Sequence, residues 1–596
     1  MNLPSKLVTF FAAAALLAPS PTFAMRPVLP NDLTFATSRT PSAPGVRAPD
    51  HTGAGAVGSA NEATADPPVP RPNGTPCTAM LFRNATFAAY AAQTFSYAPP
   101  AGCPGPFEKI VFNGNFSVSA GIQYDRTASV EVGNVPIYFG TTAEPSPALG
   151  PSWHVERDVT DDAALFATPQ SVEADIFNIV NSTYTGVISG TAYLQFYPAG
   201  RSYQSQAPDL VLPFPGVAGG PQHLNTGSST LSATYVFPTN VERAFLDVYA
   251  QSQQTDEQYF LCAPNNVAPE LFACGNGPLR ETQIAIDGIP AGVAPVYPWI
   301  FTGGLDPYLW VPIPGVQTLE FEPYRVDLTP FAGVLSNGNA HTITLSVDNA
   351  DNYFQGFATL YAYQDHGNKT VTGAVTRDTL KAHAPETFVE NLTGSSPSVV
   401  GTLRVTSQRL YEIDGYVNTS HGRVVTQLES LLDFANEQAY SNESDFTGTL
   451  VTNQVTTDET HVVTIGPKHT ETHDNLVSCP LSVSLAVVLD DTGTGTQVAT
   501  IDQHFVEANL FEEPTGIFGN YASNEVTPTD TLDILDGEYI TGNTNQSSKQ
   551  TYELFNSLGR CYSQTVTAAN NLVSGVSNAP CDRGAAMRAI SGLRGR

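Results

Sequence analysis

The chain has 596 residues, a formal net charge of −30 and only 14% charged residues, with Gly 48 and Pro 46. So acidic a chain is not built to bind nucleic acid or anionic lipid through its charge. The length predicts two to four domains, and few charges with many turn formers predict short strands joined by turns. Most of the net charge is neutralised between about pH 3 and 5, and a chain that depends little on paired carboxylates loses less stability as they protonate, so the composition also predicts acid tolerance and an acidic optimum.

Met1–Lys6 carries one lysine, Leu7–Ala18 is apolar, and Thr22-Phe23-Ala24 reads as a cleavage site. Residues 1–24 are therefore expected to be a signal peptide for secretion or the periplasm. The apolar run is shorter than the roughly 20 residues that span a bilayer. Residues 25–76, rich in Pro, Ala, Gly, Ser and Thr, read as a linker or pro-segment.

Strand signals begin near Cys77. Residues 172–179 alternate imperfectly, Asn181–Gly186 is a turn, and 187–197 alternates cleanly, which predicts a hairpin. Val241–Ala250, Thr342–Val347 and Phe357–Tyr363 continue the pattern. Beyond about Thr370 aromatics thin out, and 402–414, 447–464 and 481–489 read as strands of a separate unit. The expected architecture is all-β: jelly-roll sandwiches over 77–230 and 231–370, a C-terminal β domain over 371–582, and a frayed basic tail over 583–596.

Seven cysteines lie at 77, 103, 262, 274, 479, 561 and 581. Export permits disulfides. Cys262–Cys274 and Cys77–Cys103 are expected pairs, and one of the last three is left over. No CxxC points to zinc. His469 and His473 have helical spacing but stand in a β-rich stretch, so no metal and no cofactor is expected. Asn-x-Ser/Thr sequons such as Asn84, Asn181 and Asn418 would be glycan acceptors only in a eukaryotic host.

Trp153, Trp299 and Trp310 all fall in the middle of the chain. Aromatic faces combine apolar area with a polar edge and stack on sugar rings. The same region gathers Asp158, Asp256, Glu257, Glu281 and Asp306 in turn-rich settings, where sites usually sit. Composition alone leads to a carboxylate-based hydrolase or a glycan binder.

Ordered motifs narrow this. Phe237-Pro238-Thr239-Asn240-Val241-Glu242-Arg243-Ala244-Phe245-Leu246-Asp247-Val248-Tyr249 is followed by Asp256-Glu257. Then come Gly275-Asn276-Gly277-Pro278-Leu279-Arg280-Glu281, Ile286-Asp287-Gly288, the run from Phe301 to Trp310, and the run from Tyr324 to Phe331. Together with Trp153–Thr160, this series resembles the plant and fungal peptide-N-glycosidase A family over about residues 77 to 365. Where that family usually has His-Gly before the Asp-Glu pair and Phe-Trp-Tyr after it, this chain has Gln253 to Phe260.

The resemblance implies hydrolysis of the amide between asparagine and the innermost N-acetylglucosamine of N-linked glycopeptides. Such a reaction needs a base to activate water and an acid to protonate the departing nitrogen. It also needs a donor for the developing oxyanion. Asp256, Glu257 and Glu281 are the expected acid–base set, with Asp158 in reserve. Arg243 or Arg280 would orient substrate, and Asp306, Tyr308, Trp310, Trp153 and Trp299 would contact sugar. The expected partner is an N-linked glycopeptide or glycoprotein, bound by a monomer with no membrane attachment. A glycan-binding sandwich or an endoglycosidase with paired carboxylates is the alternative.

Overall fold

The structure is a computed structural model that describes residues 53, 55–146, 148–200, 207–214, 222–224, 230–443, 446–466, 469–514, 516–537, 539–581, 584 and 590. The signal-peptide expectation and most of the basic tail lie outside them. Among the described residues, no helix is long and apolar enough to cross a membrane.

The first sandwich packs the sheet Cys77–Phe87, Ile188–Pro198, Phe107–Val118, Ser152–Asp158 against the sheet Gln93–Tyr97, Gln170–Ile176, Thr127–Val132, Val135–Thr141. Both are antiparallel. Phe112, Phe116, Tyr138 and Trp153 fill the space between them. The expected hairpin of 172–179 with 187–197 does not form. Gln170–Ile176 pairs with Gln93–Tyr97 and Thr127–Val132, while Ile188–Pro198 pairs with Cys77–Phe87 and Phe107–Val118. The intervening loop crosses from one sheet to the other, so the two apolar faces bury each other instead of lying side by side.

The second sandwich has a five-stranded sheet centred on Val241–Gln253 and Tyr353–Gln364, and a four-stranded one, Leu231–Val236, Ala340–Asp348, Glu281–Ile286, Ile289–Pro295. Leu210–Pro213 and Gln222–Leu224 pair with Tyr353–Gln364. The second sandwich therefore starts before the expected boundary at 230; those strands are short and sit among turn residues, so their periodicity is faint.

Residues 372–578 form one 12-stranded antiparallel sheet. Its hairpins are long, with Ser398–Thr419 in register with Gly422–Ser441 from Val400↔Ser441 to Thr419↔Gly422. This sheet is not a detached unit. Val451, Leu481, Ile501 and Val566 share a core with Phe260, Ile300, Trp310 and Ile313 of the second sandwich.

The stretch after residue 55, expected as linker, also packs. Ala63 and Ala65 join that shared core, Asn524 and Gln550 donate to Asp66 Oδ1 at 2.8 and 3.0 Å, and Arg71 holds Glu156 at 2.6 Å. Ile590 is likewise buried, against Ala508, Leu510 and Phe555. Single apolar residues in polar sequence make such anchors without any periodic pattern.

The expected disulfides Cys77–Cys103 and Cys262–Cys274 are present, the third joins Cys561 to Cys581, and Cys479 is left as a buried thiol.

Candidate active site

Four loops at sandwich strand ends meet. They are the segment between Val118 and Thr127, the one following Thr141, the one following Gln253, and the run from Trp299 to Trp310. They bring together Asp125, Glu144 and Glu257, each half-buried. The Asp125 N–H donates to Glu144 Oε2 at 3.4 Å, and Glu257 acts on Asp125 electrostatically.

Gly303 closes the cluster. A Cβ built there would lie 2.3 Å from Asp125 Oδ1 and 2.5 Å from Glu144 Oε2. Only a residue without a side chain lets the backbone approach so closely, and the Gly303 backbone hydrogen-bonds Asp125. Thr302 fixes the loop by donating from Oγ1 to the Thr142 carbonyl at 2.5 Å.

Burial first, and the Glu257 charge second, push Asp125 up to about 7 against the pull of Arg126. Burial and then Asp125 hold Glu144 well above the usual carboxylate range. Burial also raises Glu257. Like charges confined together cannot all ionise, so the cluster holds both a proton and a charge near neutrality. Arg126 donates from Nη2 to Gln123 Oε1 at 2.6 Å, while its buried Nε has no partner. At the rim, the exposed Tyr124 ring faces Tyr184 at 5.5 Å and lies 5.8 Å from the Arg126 guanidinium carbon. Tyr308 is half-buried, and its phenol is raised by burial and then by the Glu144 charge.

The residues expected from sequence scatter. Glu257 joins the cluster, with Tyr308 beside it. Its neighbour Asp256 does not: it is fully buried, takes Arg280 Nε and Nη2 on Oδ1 at 3.0 and 2.8 Å, and accepts the Asp351 and Asn352 N–H groups at 3.1 and 2.7 Å. Arg280 spends Nη1 on the Gly277 and Leu279 carbonyls. This pair is sealed and stitches three loops together; it offers no surface to a substrate.

Glu281 is buried against Arg409 of the 12-stranded sheet, at 3.4 Å. Arg243 lies over the Tyr363 ring at 4.2 Å, at the far end of the strand that leads to Glu257. Trp153 is in the first sandwich core, stacked 5.6 Å from Phe116. Trp310 is fully buried and donates Nε1 to the Gly304 carbonyl at 2.9 Å. Asp306 is fully buried beneath the loop.

Asp158 and Trp299 line a hollow of about 640 Å³ away from this cluster, where both sandwiches meet the large sheet. Some of its charges are paired, while burial pushes Asp162 up to about 7 and Glu320 up to about 8. Asp158 pairs with Lys109 and accepts from Thr160, Arg325 bridges Asp161 and Asp247 at 2.7 and 2.6 Å, and Arg157 reaches Glu320 at 4.0 Å.

Glu242, Asp365 and His421 bring donor atoms within 4.8 Å of one another. The Asp365 oxygens, however, already accept from Ser420 and Gly367. His473 Nε2 donates to Asn509 Oδ1 at 2.9 Å and its ring stacks on Phe511, whereas His469 pairs with Glu471; the two do not converge on one ion.

Asp125, Arg126, Glu144, Tyr124 and Tyr184 escape the sequence reading. Tyr124-Asp125-Arg126 follows a Gly-containing turn, the setting that drew attention to the others. Glu144, in Ala143-Glu144-Pro145, carries no local signal at all.

Residues 67–376 match the family described as peptide N-acetyl-beta-D-glucosaminyl asparaginase amidase A. The chain is 27% identical over 464 residues to peptide-N4-(N-acetyl-beta-glucosaminyl)asparagine amidase A of Prunus dulcis, covering 74% of this chain and 80% of that one. Among solved structures, PNGF-II is 12% identical with a TM-score of 0.35, over 49% of this chain and 66% of its own. PNGase F, a glycosylasparaginase from Flavobacterium meningosepticum, is 13% identical with a TM-score of 0.33, over 49% of this chain and 96% of its own. On the match over residues 67–376, this chain belongs to the peptide N-acetyl-beta-D-glucosaminyl asparaginase amidase A family.

Proposed function

We propose that this protein is an enzyme that hydrolyses the side-chain amide between asparagine and the innermost N-acetylglucosamine of N-linked glycopeptides, and that Asp125, Glu144 and Glu257 carry the reaction. The observation behind it is convergence: the loop bearing Glu257 and the loop bearing Gly303 and Tyr308 both close on Asp125 and Glu144.

Hydrolysis of this amide adds water across a C–N bond. Glu257, the ionised partner, takes a proton from water as its oxygen forms a bond to the amide carbon. The Asp125–Glu144 pair holds a proton and gives it to nitrogen as the C–N bond breaks, leaving aspartate and a glycosylamine. A carboxyl raised by burial is the suited donor near neutral or mildly acidic pH. Arg126, whose charge acts on Asp125 and Glu144, would offset the developing oxyanion, and Tyr124, Tyr184 and Tyr308 provide ring faces for sugar. An acidic optimum fits this set, because activity falls as pH rises through the value of the proton donor. The Met1–Ala24 pattern supports export, and a monomer suffices since one chain supplies the whole cluster.

The test is incubation with an N-glycopeptide in ¹⁸O-labelled water. One label in a new aspartate, with the intact glycan released, is the expected result. Asparagine left carrying one sugar would assign an endoglycosidase, and an unchanged glycopeptide that still binds would assign a lectin.

A further inference from the structure

With the hydrolytic role of the Gly303 wall as premise, we propose that Asp530 of the 12-stranded sheet is a positioning residue that shares one proton with Asp306 and so holds the 301–310 loop against Asp125 and Glu144 only while that proton is retained.

Asp306 heads the turn Pro307–Trp310, and its Oδ1 accepts the Tyr308 N–H at 2.9 Å. Its Oδ2 is buried with no donor. Asp530 lies in the strand Thr529–Leu535; its Oδ1 accepts Asn543 Nδ2 at 3.2 Å, and its Oδ2 is also buried with no donor. The two carboxyls adjoin one another. Two carboxylates carry no hydrogen between them, but a single proton lets one donate to the other. That bridge would satisfy both buried Oδ2 atoms, whose isolation is costly.

The surroundings favour the proton. On the sheet side Asp533 adds a second negative charge. The strand Tyr539–Asn556 contributes the neutral Asn543 amide. On the loop side stands Tyr308, with Glu144 beyond it. Burial and then the Asp530 charge raise Asp306 to about 7, and burial raises Asp530. The proton is therefore bound in the folded state and absent from the unfolded chain between about pH 4 and 7. The stability it confers on the docked loop is present below that window and lost as pH rises through it.

Neutral contacts hold the rest of the loop: Gln497 Nε2 donates to the Leu305 carbonyl at 3.1 Å, and Asn571 Nδ2 to the Tyr308 carbonyl at 3.0 Å. Neither titrates. Asp125 and Glu144, which the loop meets at Gly303, titrate as well, so the contribution of the Asp306–Asp530 pair is the part of the pH dependence that an Asp530 variant removes. The same loop positions Gly303 and Tyr308 at the reacting cluster, which couples the large sheet to the site.

The experiment is hydrogen exchange, read by mass spectrometry, on amides of residues 301–310 in the full chain at pH 5 and pH 8, corrected for intrinsic rates. In the unaltered protein, protection should fall at least tenfold at pH 8, since each unit of pKa elevation is worth a factor of ten. Asp530→Asn supplies a permanent donor, and the fall in its protection between pH 5 and pH 8 should be much smaller than in the unaltered protein. Asp306→Asn should behave alike, because the amide can serve both Tyr308 and Asp530. Asp530→Ala should lose protection at pH 5 and also lose deglycosylation there, with Asp530→Asn restoring both. Equal pH dependence in Asp530→Asn and the unaltered protein would overturn the proposal, as would equal protection at the two pH values in the unaltered protein. Exchange needs no substrate, so a failure of the glycoamidase reading would show separately, as the absence of labelled aspartate.

Discussion

Gly303 and Asp125 come so close that a methyl group on the glycine would sit 2.3 Å from the Asp125 carboxylate oxygen. The two residues are far apart in sequence and belong to different sandwiches. Their contact makes the carboxylate cluster a property of the junction.

Gly303→Ala should therefore push the 301–310 loop away from Asp125 and Glu144. A displacement of about 1 Å at a catalytic constellation costs on the order of 10²-fold in rate. The variant should fold, since the obstruction is at a half-buried rim, and steady-state kinetics should show the loss in kcat. Unchanged turnover would remove Gly303 from the site.

Asp125→Asn, Glu144→Gln and Glu257→Gln should each lower kcat by about 10²- to 10⁴-fold, the usual worth of a positioned acid or base. In the unaltered enzyme kcat/KM should decline as pH rises through about 7, where the buried Asp125 gives up its proton. A rate that keeps climbing above pH 8 would contradict the protonated-donor assignment.

Asp256 and Arg280 should matter for stability instead. Removing one partner of a sealed ion pair strands the other charge, which costs roughly 3–5 kcal/mol. Asp256→Ala and Arg280→Ala should each lower the thermal midpoint strongly, and the double variant should be less destabilised than the two losses added. Additive losses in a double-mutant cycle would show that the pair is not coupled.

The molecule should be most stable in mild acid. Burial, largest in every case, raises Asp125, Asp162, Asp175 and Asp306 to about 7 and Glu131 and Glu320 to about 8. Each binds its proton more tightly folded than unfolded, so the stability it lends is full below about pH 4 and is lost as pH rises toward 8. Glu156 and His473 run the other way. Burial pushes Glu156 up, but hydrogen bonds from His154 and Arg71 outweigh it and bring it down to about 2; its contribution disappears as pH falls through that value. Burial, and next the His461 charge, lower His473 to about 3, which costs stability below about pH 6.5. Urea midpoints between pH 3 and 9 should peak between about 4 and 6. A peak above pH 7 would refute this balance. Such a peak would trace the acid tolerance expected from composition to carboxyls buried in protonated form, not merely to a lack of ion pairs.

The alternation from Ile188 to Phe196 and the long polar–apolar strands beyond Thr402 were legible because each buries one face, and burial of one face writes a period of two into sequence. Partners were not legible. Ile188–Pro198 pairs with distant Cys77–Phe87, and no local signal distinguishes that from a hairpin with Gln170–Ile176. Residues 55–76 likewise look like linker because their anchors, Ala63, Ala65 and Asp66, are too few to form a pattern.

The site divides in the same way. Asp256 and Glu257 are adjacent in one loop and indistinguishable by residue type, yet one is sealed against Arg280 and the other opens on Asp125. Successive residues in a tight turn point in different directions, so the backbone path, not the dipeptide, sets their roles. The sequence by itself determined the all-β class, two of the three disulfides, the ordered family motifs and the amide bond they imply. Only the tertiary structure decided which carboxylates come together. Desolvation and mutual charge are functions of distance, and Asp125, Glu144, Glu257 and Gly303 become neighbours only when the two sandwiches meet.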